Sequence, residues 1–228
     1  MHSRTLVIGD IHGCLSSFDS LLDAIAPTGD DQLILLGDYV DRGPDSASVM
    51  KRILGLSNRV HLTAIKGNHE QMMLDARDSH DKFALWLFEG GDVTLRSYGG
   101  ARGGLRDIPT SHWTFLENQL VNYLETESHI FVHAGAHSNL AMSEQPDYVL
   151  RWERVETITA HQSGKVIVCG HTPQTAGHPL NRGYIICLDT NACCGGPLTC
   201  MDVGSGRIWQ AGATGRVSRA HISDFPAE

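Results

Sequence analysis

Six residues able to ligate a metal stand at the ends of apolar runs. Asp10 and His12 lie in Gly9-Asp10-Ile11-His12-Gly13, Asp38 follows Gly37, Asn68 follows Gly67, His133 follows Val132, and His171 follows Gly170. Carboxylate and carboxamide oxygens mixed with neutral imidazoles suit Mn²⁺, Fe or Zn²⁺ and suit Ca²⁺ poorly. Six donors exceed what one open catalytic ion needs. Two ions ~3.5–4 Å apart, bridged by a shared carboxylate, would use all six and hold a bridging water for in-line attack. Asp38 is the candidate bridge. A single Asp after a strand is ordinarily a turn or helix-cap residue, and a single strand-end His is ordinarily structural. Five such segments in order give the set a meaning that its members lack. His2, His61, His80, His112, His129, His137, His161, His178 and His221 have no such context and read as surface or structural residues.

The elements that must position these donors follow from periodicity. Thr5–Ile8 is a β-branched and Leu run, and Leu15, Phe18, Leu21, Leu22 and Ile25 are spaced for a helix over 14–26 that Pro27-Thr28-Gly29 ends. The pattern recurs, with a strand over 32–36, a helix over 45–56, a strand over 60–65 and a helix opening at Gly67. Strands alternating with helices predict a layered α/β architecture, in which ligands collect at the carboxyl ends of the strands. Gly90-Gly91, Gly99-Gly100 and Gly103-Gly104 leave 90–110 without a period, so this stretch reads as a loop-rich insertion; no Gly-Lys-Ser/Thr accompanies the pairs to make a phosphate cradle. Trp113–Leu124 is predicted helical. Runs over 130–132, 166–169, 184–188 and 198–203 predict short strands in succession and suggest sheet closure. The chain is expected to be one domain over 1–228 with a variable insertion at about 75–127.

Composition narrows the partners. Lys+Arg 18 against Asp+Glu 26 gives 18 − 26 = −8, so no global basic field exists to attract nucleic acid or an anionic membrane. Of the cations 14 are Arg, the better match for a single phosphate group. The apolar runs fall far short of the ~18 residues that span a bilayer, and Met1-His2-Ser3-Arg4 leads into the first strand without a signal-like segment, so a cytoplasmic location is expected. Six cysteines clustered late in such a chain read as reduced thiols, and without a Cys-x-x-Cys spacing they do not suggest a zinc site. Cys14, beside the first motif, reads as a buried helix-start thiol in preference to a redox switch.

Gly-Asp-Ile-His-Gly at 9–13, Gly-Asp-Tyr-Val-Asp-Arg-Gly at 37–43, Gly-Asn-His-Glu at 67–70, His-Ala-Gly at 133–135 and Gly-His-Thr-Pro at 170–173 resemble the signature set of the phosphoprotein phosphatase family of metallophosphoesterases. Gly67–Leu74, Trp152-Glu153-Arg154 and Leu188-Asp189-Thr190 resemble its small bacterial and bacteriophage branch, typified by the bacteriophage lambda protein phosphatase. The resemblance covers 5–75 and 128–203. It implies a calcineurin-like β-sandwich flanked by helices. It also implies two divalent ions, Mn²⁺ first among them, with Asp10, His12 and Asp38 holding one and Asp38, Asn68, His133 and His171 the other. Arg42 would grip the substrate phosphate, and Asn68 would also face it. His69, oriented by Asp41, would protonate the leaving oxygen. Arg154 is the expected second phosphate ligand, with Arg151 its competitor under a one-residue alignment shift. The implied activity is hydrolysis of phosphoserine and phosphothreonine in a phosphoprotein or phosphopeptide, by direct attack of a metal-bridging hydroxide.

Two departures limit what carries over. Asp189-Thr190-Asn191 stands where the family often has Asp-Thr-Gly, and Asn tolerates the left-handed turn next best to Gly. Cys193-Cys194-Gly195-Gly196 replaces the aromatic loop of the eukaryotic branch, so no regulatory subunit is assumed. The symmetrical diadenosine tetraphosphate hydrolases share the motifs but resemble Gly-Asn-His-Asp where this chain has Glu70. A non-catalytic metal-dependent scaffold would be expected to lose His69, Asp41 or Arg42, and all three are present.

Overall fold

The computed structural model describes residues 3–225; His2 lies outside the described residues. Its elements run β1 (Thr5–Ile8), α1 (Leu15–Ile25), β2 (Gln32–Leu35), α2 (Ser46–Leu56), β3 (His61–Ala64), α3 (Asn68–Asp75), α4 (His80–Trp86), α5 (Asp92–Gly99), α6 (Thr110–Asn118), β4 (Tyr123–Glu125), β5 (His129–Val132), α7 (Asp147–Trp152), β6 (Val166–Cys169), β7 (Leu180–Asn181), β8 (Ile185–Cys187), β9 (Leu198–Asp202), β10 (Arg207–Ala211) and β11 (Val217–His221). They form two sheets, one of six strands in the order β11-β10-β9-β1-β2-β3 and one of five in the order β4-β5-β6-β8-β7.

The alternation of side chains along each strand builds the layers. Val7, Ile34, Ile65 and Met201 from the first sheet meet Phe131, Val168, Ile186 and Leu188 from the second in one buried cluster, the core of a sandwich. Their neighbours Leu6, Ile8, Leu33 and Leu35 point the other way, under α1, α2 and α6. Ile130, Val132, Ile167 and Cys169 do the same on the far face of the second sheet, against Leu150 of α7 and Val155. Strands so covered on both faces read as continuous apolar runs, which is why the sequence announces them without alternation. The sheets remain two open layers and do not close on themselves.

Three expectations are corrected. The predicted helix over 113–124 is α6 followed by β4: the chain leaves the helix at Gln119, Val121 bridges Ile65, and Tyr123–Glu125 pairs antiparallel with β5. A cross-chain ladder won over local helical spacing. The loop-rich insertion at 90–110 contains α5, entered by a kinked turn over Leu87–Gly91 whose Gly90 has φ 109°. Strands β10 and β11, not predicted, extend the first sheet beyond β9.

Candidate metal centre

Three of the six donors sit on backbone held in a strained conformation. β1, β2 and β3 are parallel neighbours, as are β5, β6 and β8, so their carboxyl ends lie along common rims. His12, Asp38 and His171 adopt left-handed φ values of 43°, 52° and 64°, and Asp41 and Arg42 follow at 72° and 66°. Each such non-glycine residue costs of order 1–3 kcal/mol and persists only where the surroundings hold it. The holding contacts are specific. Ile11 and His12 amides donate to the Asp38 carbonyl at 3.0 and 2.8 Å, tying the first two motifs together. Glu70 accepts from the amides of Asp38, Tyr39 and Gly67 at 2.8, 2.7 and 3.0 Å, fixing the turn that presents Asp38. Gly67 and Gly170 have no room for a Cβ, which would collide with the Asp38 and Asp10 carboxylates.

The donors converge on Asp38. His12 Nε2 lies 3.5 Å from Asp38 Oδ2 and His133 Nε2 3.4 Å from Oδ1. Two groups of donor atoms share this residue, His12, Asp38 and His69 in one and Asp38, His133 and His171 in the other, with the atoms of each within 4.8 Å of one another. Asn68 Oδ1 sits between the two imidazoles of the second group, 2.9 Å from His133 Nε2 and 3.1 Å from His171 Nδ1. Asp10 stands against the same ensemble with its carboxylate accepting the His171 amide at 3.0 Å. Five of the six expected donors gather around Asp38, and Asp10 reaches them through the His171 amide; neither three-residue group contains it, and His69 stands with His12 and Asp38 instead.

Protonation states favour a cation. His12 and His133 donate Nδ1–H to the carbonyls of Val40 and Leu36 at 2.8 Å each, which leaves each Nε2 a lone pair aimed inward. Burial pulls His12 down to about 3 and His171 down to about 4, and lowers His133. These are neutral imidazoles. The His133 lone pair then faces the Asn68 and Asp38 oxygens with no proton between acceptors. Asp10 is raised by burial and by the charges of Asp189 and Asp38, Glu70 is pushed up to about 8 by burial and by Asp38, and Asp189 to about 6 by burial. Buried carboxylates that repel one another and acceptors that converge are the chemistry a divalent ion relieves, so the residues present fit a two-ion site.

Over this group stands a histidine that is not needed to complete the six. His69 Nδ1 is 2.7 Å from Asp41 Oδ2, and its fully buried Nε2 has no hydrogen-bond partner and lies 3.9 Å from Asp38 Oδ2. Burial works against a charged ring, but the Asp38 and Asp41 carboxylates outweigh it and the net shift is upward. Two residues unmarked in the sequence hold Asp41: Trp86 Nε1 donates to Oδ2 at 2.9 Å and Thr94 Oγ1 to Oδ1 at 2.7 Å. Both come from the insertion, α4 and α5. Their signal is a buried indole and a hydroxyl in an otherwise apolar helix face, which no spacing rule links to position 41.

The arginines separate by burial. Arg42 is 38% exposed, with Nη1 3.2 Å from His12 Nε2, so its guanidinium overhangs the donors. Arg151 is buried and bound to Asn122 at 2.8 Å and Asp147 at 2.9 Å. Arg154 is 61% exposed, and it follows Trp152, whose ring is 6.2 Å from that of His171. Of the two, Arg154 is the exposed one. Cys14 is half-buried with its thiol directed to the His12 carbonyl, and burial pushes it up to about 11, consistent with an inert thiol.

Residues 3–175 match the family model described as calcineurin-like phosphoesterase. The chain belongs to that family. It is similar to serine/threonine-protein phosphatase 1 of Salmonella typhimurium, 46% identical over 91 residues, a match spanning 40% of each chain. It is also similar to the symmetrical bis(5'-nucleosyl)-tetraphosphatase of Nitrosomonas europaea, 29% identical over 174 residues, covering 71% of this chain and 58% of that one. The matches thus span about two-fifths to three-fifths of these relatives. A solved structure of a cold-active protein tyrosine phosphatase superposes with a TM-score of 0.66 over 98% of this chain and 80% of that chain at 18% identity, a likeness of fold. Among the described residues no helix is long and apolar enough to cross a membrane.

Proposed function

We propose that this metallophosphoesterase is a dinuclear phosphomonoesterase that removes phosphate from phosphoserine and phosphothreonine. The observation that carries the reading is His69, pinned by Asp41 through Nδ1 and presenting a partnerless Nε2 beside the Asp38 donor group. A proton donor so placed serves a poor leaving group. A serine or threonine alkoxide is one, because it cannot depart unprotonated near neutral pH.

Two divalent ions, held by Asp10, His12 and Asp38 and by Asp38, Asn68, His133 and His171, would supply a nucleophile at neutral pH and neutralise charge on the phosphoryl oxygens. The chain's own residues do the rest. Arg42 offers a planar fork to two phosphoryl oxygens, and Arg154 a second cation. Asp41 orients the His69 ring and stabilises its protonated form, and His69 delivers the proton from Nε2 to the leaving oxygen. Mn²⁺ is the proposed native metal and the cytoplasm the proposed location.

The similarity to the Salmonella phosphatase supports this reading. The longer match to the Nitrosomonas tetraphosphatase favours a second one, symmetrical hydrolysis of diadenosine tetraphosphate. Parallel turnover of a phosphothreonine peptide, a phosphotyrosine peptide, p-nitrophenyl phosphate and diadenosine tetraphosphate by Mn²⁺-loaded protein tests both. Higher kcat/KM on the phosphothreonine peptide is expected; higher kcat/KM on the dinucleotide would replace the first reading by the second. Chelation should abolish turnover and Mn²⁺ restore it, and full activity with metal analysis showing empty sites would exclude a metal mechanism.

A further inference from the structure

The turn over Leu87–Gly91 is wrapped around Arg42. The Gly90 carbonyl accepts the Arg42 amide at 3.4 Å, and a Cβ at Gly90 would press on the Arg42 backbone nitrogen and Cγ at 2.9 and 3.0 Å. Gly90 can serve here because its φ of 109° is closed to other residues. The consequence is that the preceding residue, Glu89, is set at the rim with its carboxylate 3.8 Å from Arg42 Nη2 and its side chain 36% exposed. Arg154 Nε is likewise 3.4 Å from a Glu156 carboxylate oxygen. Arg42 therefore carries an acidic partner supplied by the insertion, and Arg154 one on its own segment.

Such pairing has a chemical meaning for what enters. Arg42 must meet the transferred phosphate, and a substrate whose negative charge ends at that phosphate exchanges one anion for another there. A substrate with further phosphates or carboxylates close by brings them against Glu89, on a chain of net charge −8. Like charges brought together suppress a wrong ligand more than they favour a right one.

We infer that Glu89 is a specificity-determining residue, a charge filter that selects phosphomonoesters with neutral or basic surroundings and rejects polyphosphates and acid-flanked phosphopeptides. The inference deepens the phosphomonoesterase reading and rests on the same Arg42 site. It gives the insertion a second task besides holding Asp41: the helices that carry Trp86 and Thr94 also set the lip on which Glu89 stands.

The test compares wild type, Glu89→Gln and Glu89→Lys on two phosphothreonine peptides, one flanked by lysine and one by aspartate, and on diadenosine tetraphosphate, at low and high salt. For an ion pair this exposed, Glu89→Gln should shift the ratio of kcat/KM, acidic over basic peptide, by about two- to fivefold, and Glu89→Lys further in the same direction. The shift should fade at high salt, as an exposed charge requires. The dinucleotide should gain with the acidic peptide. Equal changes on both peptides, or a ratio that moves the other way, would overturn the assignment. Wild-type preference between peptide and dinucleotide tests the function itself. A dinucleotide preference that still rises in Glu89→Lys would leave the filter standing while the phosphatase reading falls, and an unmoved ratio in an active phosphatase would do the reverse.

Discussion

Trp86→Phe isolates one hydrogen bond in the acid assembly. The indole is fully buried and its Nε1 is 2.9 Å from Asp41 Oδ2, the oxygen that also faces His69 Nδ1 at 2.7 Å. Phenylalanine keeps an aromatic ring under the turn and removes the donor. Burial raises Asp41, and the hydrogen bonds from His69, Thr94 and Trp86 pull it back, so losing one makes the carboxylate a weaker partner for a protonated His69. A hydrogen bond to a charged acceptor is worth about 1.5–3 kcal/mol. If all of it were expressed in the step that protonates the leaving group, kcat would fall by ~10- to 150-fold at about 1.4 kcal/mol per factor of ten. Sharing among three donors makes the lower end the expectation. The assay is kcat on a phosphothreonine peptide and on p-nitrophenyl phosphate, with metal content and thermal midpoint recorded for each protein. The aryl substrate leaves readily without a proton, so its loss should be several-fold smaller. Equal losses on the two substrates with both metals retained would show that Trp86 supports the fold of the site and does not act through His69, and an unchanged peptide kcat would remove Asp41 and His69 from the rate-limiting chemistry.

Other perturbations follow from the same geometry. Replacing His69 by Asn should lower kcat on alkyl phosphates by ~10²–10⁴ with metal content intact and by less on the aryl substrate; metal loss in this variant would make His69 a ligand. Gly170→Ala places a methyl group against the Asp10 carboxylate, so bound metal measured by elemental analysis should fall below two per chain. Arg154→Ala should lower kcat/KM by ~10²–10³ with the thermal midpoint unmoved, whereas Arg151→Ala should lower the midpoint by removing a buried guanidinium bound to Asn122 and Asp147; the reverse pattern would reassign the second clamp. Asp31 accepts from Arg4 and Thr28, and Arg4 holds its carboxyl well below the usual range. A depressed folded pKa gives stability that is present above the unfolded value of ~3.9 and lost as pH falls through the folded one. Asp31→Asn should therefore cost about 1–3 kcal/mol in urea unfolding at pH 7 and progressively less in acid; a gap independent of pH would exclude this origin.

The donors were legible because their signal is local. Asp10, His12, Asp38, Asn68, His133 and His171 each end an apolar run, and a residue that ends a parallel strand has little choice of where to point. Glu70 was legible only as a branch marker in Gly-Asn-His-Glu. Its hold on the Asp38 turn, accepting the Asp38 and Tyr39 amides, joins residues 32 and 31 apart in sequence and leaves no pattern to read. The insertion was misjudged for a related reason. Glycines at 90, 91, 99, 100, 103 and 104 suggest a loop, but Gly90 takes its positive φ to pass Arg42, and Gly91, Gly99 and Gly103 leave room for the Trp86 ring, the Asp107 carboxylate and the Leu95 carbonyl, so four of the six mark close packing. Helical spacing over 113–124 failed at Gln119 because a β ladder to β5 lies within reach only after the chain has folded.

Residue type and near neighbours along the chain were enough to read the strand-helix alternation and to point to the six candidate donors, and the family resemblance added Asp41 and His69. Only the packed chain shows that His69 joins His12 beside Asp38, that Trp86 and Thr94 donate to Asp41, that Arg151 is buried against Asn122, and that Glu89 stands against Arg42. These are statements about distances between segments tens of residues apart. They are set by how two sheets and an insertion pack, and packing depends on shape and volume summed over the whole core, which no spacing along the chain encodes.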